Sequence, residues 1–381
     1  MTHTKKQDAL QGVWDATRLF PFSLAAGVCS GFGLLGGAVS AAVCLLFGAV
    51  CGCAFFPTWL SLLPVFLLAY RFGAGCAGAA VLLGGALTCL LSLMPRAARE
   101  RLTHPAAHTG FAIAAAFVTT ALQTTNYFGI GAAGGTAREI IADYISLGFH
   151  ANWRGVLYGT IALVLLITYP RKFKTLRHKI APAFTVLLIV FPLHLLLVPR
   201  AEGSPINEIG KIDFSAAADG MFLRGAFTKE AIPLILCSAL ALALLTNRAL
   251  SDARLRQLSG VRMCAGFFGG LPCDTDGEQR GILSALTAAL VTAALYCLPG
   301  LARFPVHALA VILIVTAWQC VPWGGVRTAF ASVRGALLFC ASLLLPVLAG
   351  VHYAVPLLCA LCALTGQNDT TNSNIQKGSV S

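Results

Sequence analysis

The stretch Gly266-Phe267-Phe268-Gly269-Gly270-Leu271-Pro272-Cys273-Asp274-Thr275-Asp276-Gly277-Glu278 decides the fold. Its first half breaks a helix with glycines and a proline, and its second half sets acids between two membrane-grade apolar segments. Charges that close to hydrocarbon are expensive and mark working positions. A glycine- and proline-broken helix is also how transporters build a midplane pocket. The stretch therefore reads as a site inside a membrane, not as a surface loop.

Composition supports that setting. Of 381 residues, 57% are hydrophobic and 11% charged, and the mean hydropathy is +0.79. No soluble class has this balance. Apolar runs of bilayer length occur at Phe20–Trp59, Gly110–Leu122, Gly155–Tyr169, Ile180–Val198, Ala231–Leu245, Gly281–Leu298 and Gly335–Leu364, several of them long enough for two crossings. The expected fold class is an all-α polytopic membrane protein. The net charge of +12 is spread over separate short loops, which is the pattern of membrane orientation and excludes a nucleic-acid patch. The 14 cysteines lie inside apolar stretches and read as reduced packing residues. Cys51/Cys53 and Cys359/Cys362 have metal-like spacing but no accompanying histidine or second pair, so neither a metal nor a cofactor is expected. Lys5 and Lys6 are followed by Asp8 and Asp15 and by no cleavage-like site, so no signal peptide is expected.

Basic clusters at Arg96/Arg99/Arg101, Arg171/Lys172/Lys174/Arg177/Lys179, Arg248/Arg254/Arg256/Arg262 and Arg327/Arg334 should all be cytoplasmic, with even numbers of crossings between them. Hydropathy then gives about four, two, two, four and two segments, about fourteen in all. Both termini would be cytoplasmic in a bacterial-type inner membrane. The order of segments and loops roughly repeats after the mixed-charge loop. Halves of about seven crossings each must be inverted, with a site at the midplane between them. The expected organisation is a cytoplasmic N-terminus (1–17), a first repeat (18–198), an extracellular loop (199–230), a second repeat (231–364) and a polar, disordered tail (365–381). Each repeat carries a break in its third segment. In the first half it is Cys51 to Thr58, where Pro57 suits the first turn of a new helix. In the second it is Gly266 to Gly281. Two half-helices whose N-termini face each other make a positive dipole focus, for which an anion is the natural ligand.

At this point the chain resembles the sulfate permease (SulP) family of anion transporters. The resemblance rests on Asp15 with Pro21-Phe22-Ser23-Leu24-Ala25, Gly110-Phe111 opening the fifth helix with Gln123 near its end, and Tyr169-Pro170-Arg171. It also rests on Gln257 to Pro272 and on Phe304 to Trp318. It implies a seven-plus-seven inverted repeat in which a core domain of segments one to four and eight to eleven rocks against a gate. It further implies an anion held between the N-termini of segments three and ten. Carried onto this chain, that places Pro57 and Thr58 on one side and Cys273, Asp274 and Thr275 on the other, with Ser23 of the first helix nearby. The chain departs from the pattern in three ways. Asp274, Asp276 and Glu278 replace a hydroxyl- and glycine-rich run, with Arg280 near the place of the family's arginine. Segment eight, Ala231 to Leu250, has no acid. The regulatory domain that typically follows segment fourteen is not found in this sequence.

The acids admit two readings. Asp274 and Asp276 cap the half-helix in water, or one of Asp274, Asp276 and Glu278 couples protons to the anion, since desolvation beside an anion favours a protonated carboxyl. Arg280 is either a counter-charge in the pocket or a snorkelling residue. His194, His307 and His352 read as packing residues. The cassette also matches the segment-ten signature of nucleobase permeases at Thr275, Gly277, Glu278 and Gly281, although those also need a glutamate in segment eight. The expected function is secondary transport of a small anion of the sulfate, bicarbonate or dicarboxylate class, with protons as coupling ion. A nucleobase permease and a non-transporting membrane scaffold are the alternatives. An enzyme is not expected, because no catalytic constellation lies at bilayer depth. The expected partners are the anion and the lipid bilayer, with homodimerisation left open.

Overall fold

The computed structural model describes the backbone of residues 2–130, 137–147, 150–172, 181–197, 227–246 and 250–378. Side chains are described for these residues except 2–6, 137–138, 140, 147, 276–278 and 366–378. The expected extracellular loop lies mostly outside the described residues, as do Lys174, Arg177 and Lys179.

The helices are α1 (Thr2–Cys29), α2 (Gly33–Cys51), α3 (Trp59–Leu93), α4 (Arg96–Arg101), α5 (Pro105–Phe128), α6 (Ala137–Leu147), α7 (Trp153–Lys172) and α8 (Pro182–Leu197). They continue as α9 (Ile232–Leu245), α10 (Asp252–Phe267), α11 (Ile282–Tyr296), α12 (Val306–Gln319), α13 (Gly324–Ala329), α14 (Val333–Leu348) and α15 (Val351–Gly378). Strands β1 (Cys53–Pro57) and β2 (Cys273–Gln279) accompany them among the described residues. Among the described residues, α2, α3, α5 and α7 are each long and apolar enough to cross a bilayer. Six shorter apolar stretches accompany them, and large apolar side chains such as Leu46, Val50, Leu196, Leu290 and Val333 are exposed on the outside. This is an all-α polytopic membrane fold.

Sequence explains how these pieces are cut. Gly73 has a φ of +84° and divides α3 into two parts, so that Trp59 to Phe72 is only about 21 Å long. α11, at 15 residues, is similarly short. Each is completed by its strand. β1 pairs antiparallel with β2, with Phe55 opposite Thr275, Phe56 opposite Asp274 and Pro57 opposite Cys273. Extended backbone at membrane depth is tolerated only where protein satisfies it. This pairing does so, and Arg280 N adds a bond to Gly52 O at 3.0 Å. Because the strands are antiparallel, the helices that follow them leave in opposite directions, as an inverted repeat requires.

Two bundles form around this cross. α3 packs on α9 and α10, and α1 on α2 and α11; α5 packs on α12 and α14, and α7 on α8 and α12. Contact in the first bundle is close because glycine permits it. A β-carbon at Gly266 would lie 2.4 Å from Leu82 N and 2.6 Å from Gly78 O, so α10 meets the second part of α3 backbone to backbone. Buried Leu24, Val65, Leu68, Leu242, Leu271 and Leu309 fill the space between the bundles' helices.

Several expectations are corrected. The fifth helix opens at Pro105, capped by His104, five residues before Gly110. Arg254, Arg256 and Arg262, read as loop charges, lie inside α10, because Ser251 caps that helix by accepting from Arg254 N and arginine is a good helix former. Pro57 ends β1 and is not in the first turn of α3, since its ring suits an extended position whose N–H is not needed. The stretch expected as a disordered tail is helical in α15 as far as Gly378, no proline interrupting it after Pro356.

Candidate functional site

The capping of α3 fixes one wall of the site. Thr58 takes extended angles (φ −117°, ψ 150°), and its Oγ1 accepts from Ser61 N at 3.2 Å, closing a capping box with Ser61. Ser61 Oγ also donates to Pro272 O at 3.2 Å, which ties the start of α3 to the glycine-rich cassette. With Ser61 N engaged by the cap, the amides of Trp59 and Leu60 keep no intrahelical partner and point out of the helix start. That is the geometry that receives anions.

A cavity of about 500 Å³ opens against this helix start. α1 contributes Trp14, Asp15, Arg18 and Phe22; β1 and α3 contribute Phe56, Pro57, Thr58, Trp59 and Leu60. β2 and the residue after it contribute Asp274 and Arg280, and α12 contributes Ile312, Val315, Thr316 and Gln319. The lining is mostly apolar and spans both bundles. Its charged groups balance, Arg18 and Arg280 against Asp15 and Asp274.

Of the expected site residues, the structure brings Pro57, Thr58, Asp274 and Arg280 together on this wall. Cys273 and Thr275 stand next to it but point elsewhere. Cys273 is fully buried, and Thr275 Oγ1 donates to Ala54 O at 2.7 Å, so both serve the sheet. Ser23 is buried away from the cavity, donating to Phe20 O at 3.1 Å and sharing a 2.8 Å bond with Tyr296. Asp276 and Glu278 lie on β2, and their side chains are outside the described residues. The capping reading of Asp274 is overturned. α11 begins at Ile282 behind Gly281, well beyond Asp274, whose Oδ1 accepts from Thr275 N at 2.9 Å. His194, His307 and His352 are buried and none lines the cavity. The ring of His194 meets Tyr158 edge-on at 5.2 Å.

Two arrangements were not anticipated. Arg280 Nε lies 3.2 Å from Asp15 Oδ2, with both side chains largely buried. Ser284, in the first turn of α11, donates to the same carboxylate oxygen at 3.3 Å. The positive end of α11 is therefore already answered by an acid of α1, and the open amides belong to α3. Asp15 and Arg280 are opposite charges that each stand just ahead of an apolar run, Phe20–Trp59 and Gly281–Leu298, which is the signal that could have joined them. The second is Arg262, wholly buried in α10. Its Nε donates to Cys273 O at 2.8 Å, and its Nη1 to Thr246 Oγ1 (2.6 Å), Thr88 Oγ1 (3.0 Å) and Leu242 O (3.2 Å). One guanidinium thus binds α3, α9 and the first residue of β2. An arginine within an otherwise apolar cassette was the available clue.

Comparison with known proteins is informative at the level of structure alone. No family model matches the chain, and no curated protein does. Among solved structures, the transmembrane domain of a cyanobacterium bicarbonate transporter, BicA, superposes with a TM-score of 0.74 at 20% identity, over 91% of this chain and 96% of that one. This chain has that fold. The overall structure of SLC26A9 gives 0.69 at 14% identity, over 94% of this chain and 64% of that one. The murine solute carrier 26 member A9 anion transporter, in its inward-facing state, gives 0.71 at 14% identity, over 95% and 68%. The chain thus spans just under two thirds of the first SLC26A9 chain. Its structural neighbours are SLC26/SulP-type anion transporters.

Proposed function

We propose that this protein is a secondary transporter of a small anion of the sulfate, bicarbonate or dicarboxylate class, with the anion held at the N-terminus of α3. The observation that carries the reading is the start of α3 beside the cavity, where the amides of Trp59 and Leu60 have no intrahelical partner and Asp274 and Arg280 line the same cavity. The likeness to anion-transporter membrane domains supports it. The bundle holding β1, β2 and α3 is the core that moves against the bundle of α5, α7, α12 and α14.

Charge balance shapes the mechanism. Arg280 is neutralised by Asp15, so a fixed Asp274 carboxylate would offset the pull of Arg18 on an arriving anion. At about 4 Å and an effective dielectric near 20, two like charges repel by about 4 kcal/mol. Protonating Asp274 removes that cost, and the proton then travels with the anion. Trp14 and Ala181 line the cavity, and we assign the end of the bundle that carries them to the cytoplasm with both termini.

Uptake of radiolabelled sulfate and bicarbonate into proteoliposomes, measured at two pH values and challenged with chloride, dicarboxylates and uracil, tests the proposal. Accumulation of an anion supports it. Absence of uptake of every anion at both pH values sinks it in favour of a non-transporting scaffold, and competition by uracil alone transfers it to nucleobases.

A further inference from the structure

α2 and β2 bring two thiols into contact behind the cavity wall. Cys44 Sγ lies 3.1 Å from Cys273 Sγ. Both residues are free cysteines and both are buried. A disulfide needs an S–S separation of about 2.05 Å, so about 1 Å of closing would convert contact into bond. The surroundings favour this pairing over others. Cys53, in the same apolar cluster, turns its thiol to Gln257 Oε1 at 3.8 Å. Cys44 lines the cavity, whereas Cys273 lies behind it. The backbone of Cys273 is also held, by Arg262 at its carbonyl and by pairing opposite Pro57 in the sheet. A link between the two sulfurs would therefore draw the start of β2 towards α2, one residue from Asp274.

We propose that Cys44 and Cys273 form a peroxide-sensitive dithiol whose oxidation to a disulfide alters the neighbouring anion site. A peroxide entering from the cavity reaches Cys44, which lines it, before Cys273. The Cys44 sulfur attacks one peroxide oxygen, the O–O bond breaks, and one water leaves a sulfenic acid behind. The Cys273 sulfur then attacks the Cys44 sulfur, the S–O bond breaks, and the hydroxyl leaves with the Cys273 proton as a second water. Two thiols give up two electrons, and hydrogen peroxide is reduced to two waters. Burial makes the reaction slower than at the exposed Cys297, Cys320 and Cys340, which act as internal references. The consequence for the anion rests on the transport reading, but the thiol chemistry does not.

The test treats the whole purified chain in detergent with graded hydrogen peroxide, then alkylates it and maps peptides by mass spectrometry without reductant. The expected result is a Cys44–Cys273 linked peptide that grows with dose, disappears with dithiothreitol and is missing from Cys44→Ser. Recovery of Cys44 and Cys273 as separate alkylated peptides, at doses that fully oxidise Cys297, Cys320 and Cys340, overturns the proposal. So does linkage of Cys44 to any other cysteine. In proteoliposomes the linked protein should take up anion more slowly, by up to about a hundredfold, the scale on which a displacement near 1 Å is felt at a positioned site, and dithiothreitol should restore the rate. Unchanged uptake by fully linked protein would overturn the effect on the site while leaving the chemistry standing.

Discussion

Replacing Arg262 by lysine separates the shape of a buried cation from its charge. Lysine keeps the charge, so the cost of burying it stays, but an ammonium cannot reproduce a fork that serves Cys273 O on one side and Thr88, Leu242 and Thr246 on the other. The two threonine hydroxyls stay satisfied as donors, to Gly84 O at 2.7 Å and Leu242 O at 3.3 Å. The principal loss is thus at one side of the fork, most simply the bond to Cys273 O. A hydrogen bond to a charged group contributes about 1.5–3 kcal/mol, so about 3 kcal/mol is the expected penalty. At an unfolding entropy of about 2.1 cal/mol/K per residue, a chain of 381 residues has about 0.8 kcal/mol/K, and the midpoint should fall by about 4 °C. Thermal unfolding in detergent, followed by tryptophan fluorescence, reads this directly. A midpoint within 1 °C of wild type would refute the reasoning. Arg262→Met supplies the complementary measurement: if methionine unfolds at a higher temperature than lysine, the burial cost of the charge exceeds the worth of the bonds it retains.

Other outcomes follow from the same geometry. Asp274→Asn should flatten the pH dependence of anion uptake, and a variant with wild-type rate and pH profile would remove Asp274 from coupling. Thr58→Trp should abolish uptake by filling the space at the start of α3, whereas a fully active variant would show that the anion binds elsewhere. A double-mutant cycle of Asp15→Asn and Arg280→Gln should give a coupling of about 0.5–3 kcal/mol in thermal unfolding, and a coupling of zero would make their 3.2 Å contact energetically idle. Gly266→Ala should destabilise by about 1–3 kcal/mol, because its methyl would meet Leu82 N and Gly78 O; a neutral result would mean that α10 and α3 separate freely.

The sequence carried the membrane class, the two broken third segments and their apposition, because hydropathy and glycine-proline breaks are local signals. Pro57, Thr58, Asp274 and Arg280 do converge. What it did not carry is what fills the breaks. Both read as helix starts, since isolated extended backbone is forbidden in lipid. The solution is a strand pair joining residues more than two hundred positions apart, and no local pattern reports such a pairing. The side-chain directions of Ser23, Cys273 and Thr275 were not legible for a related reason. Their neighbourhood in the chain is right, but side-chain direction depends on the partner element, and each faces protein instead of the cavity. The Asp15–Arg280 pair was hidden because its members stand more than two hundred positions apart, and no local pattern reports such a contact.

That pair also bears on why an acid can be tolerated opposite the start of α3. Had Arg280 faced the cavity unpaired, the site would hold a permanent counter-charge and bind an anion whether or not Asp274 carried a proton. With Asp15 claiming Arg280 and Ser284, the attraction left on the cavity wall comes from Arg18 and from the partial charge of the α3 amides, equivalent to about half an elementary charge. An ionised Asp274 offsets much of that, and a protonated one does not. On the proposed transport reading, occupancy is thereby favoured by the proton, and an anion that arrives without one meets a weaker pull. A chain built this way binds its anion more tightly as pH falls, and freeing Arg280 by Asp15→Asn should weaken that dependence while Asp274 is still present. The comparison of anion affinity against pH in those two proteins distinguishes a site governed by the arginine's pairing from one governed by Asp274 alone.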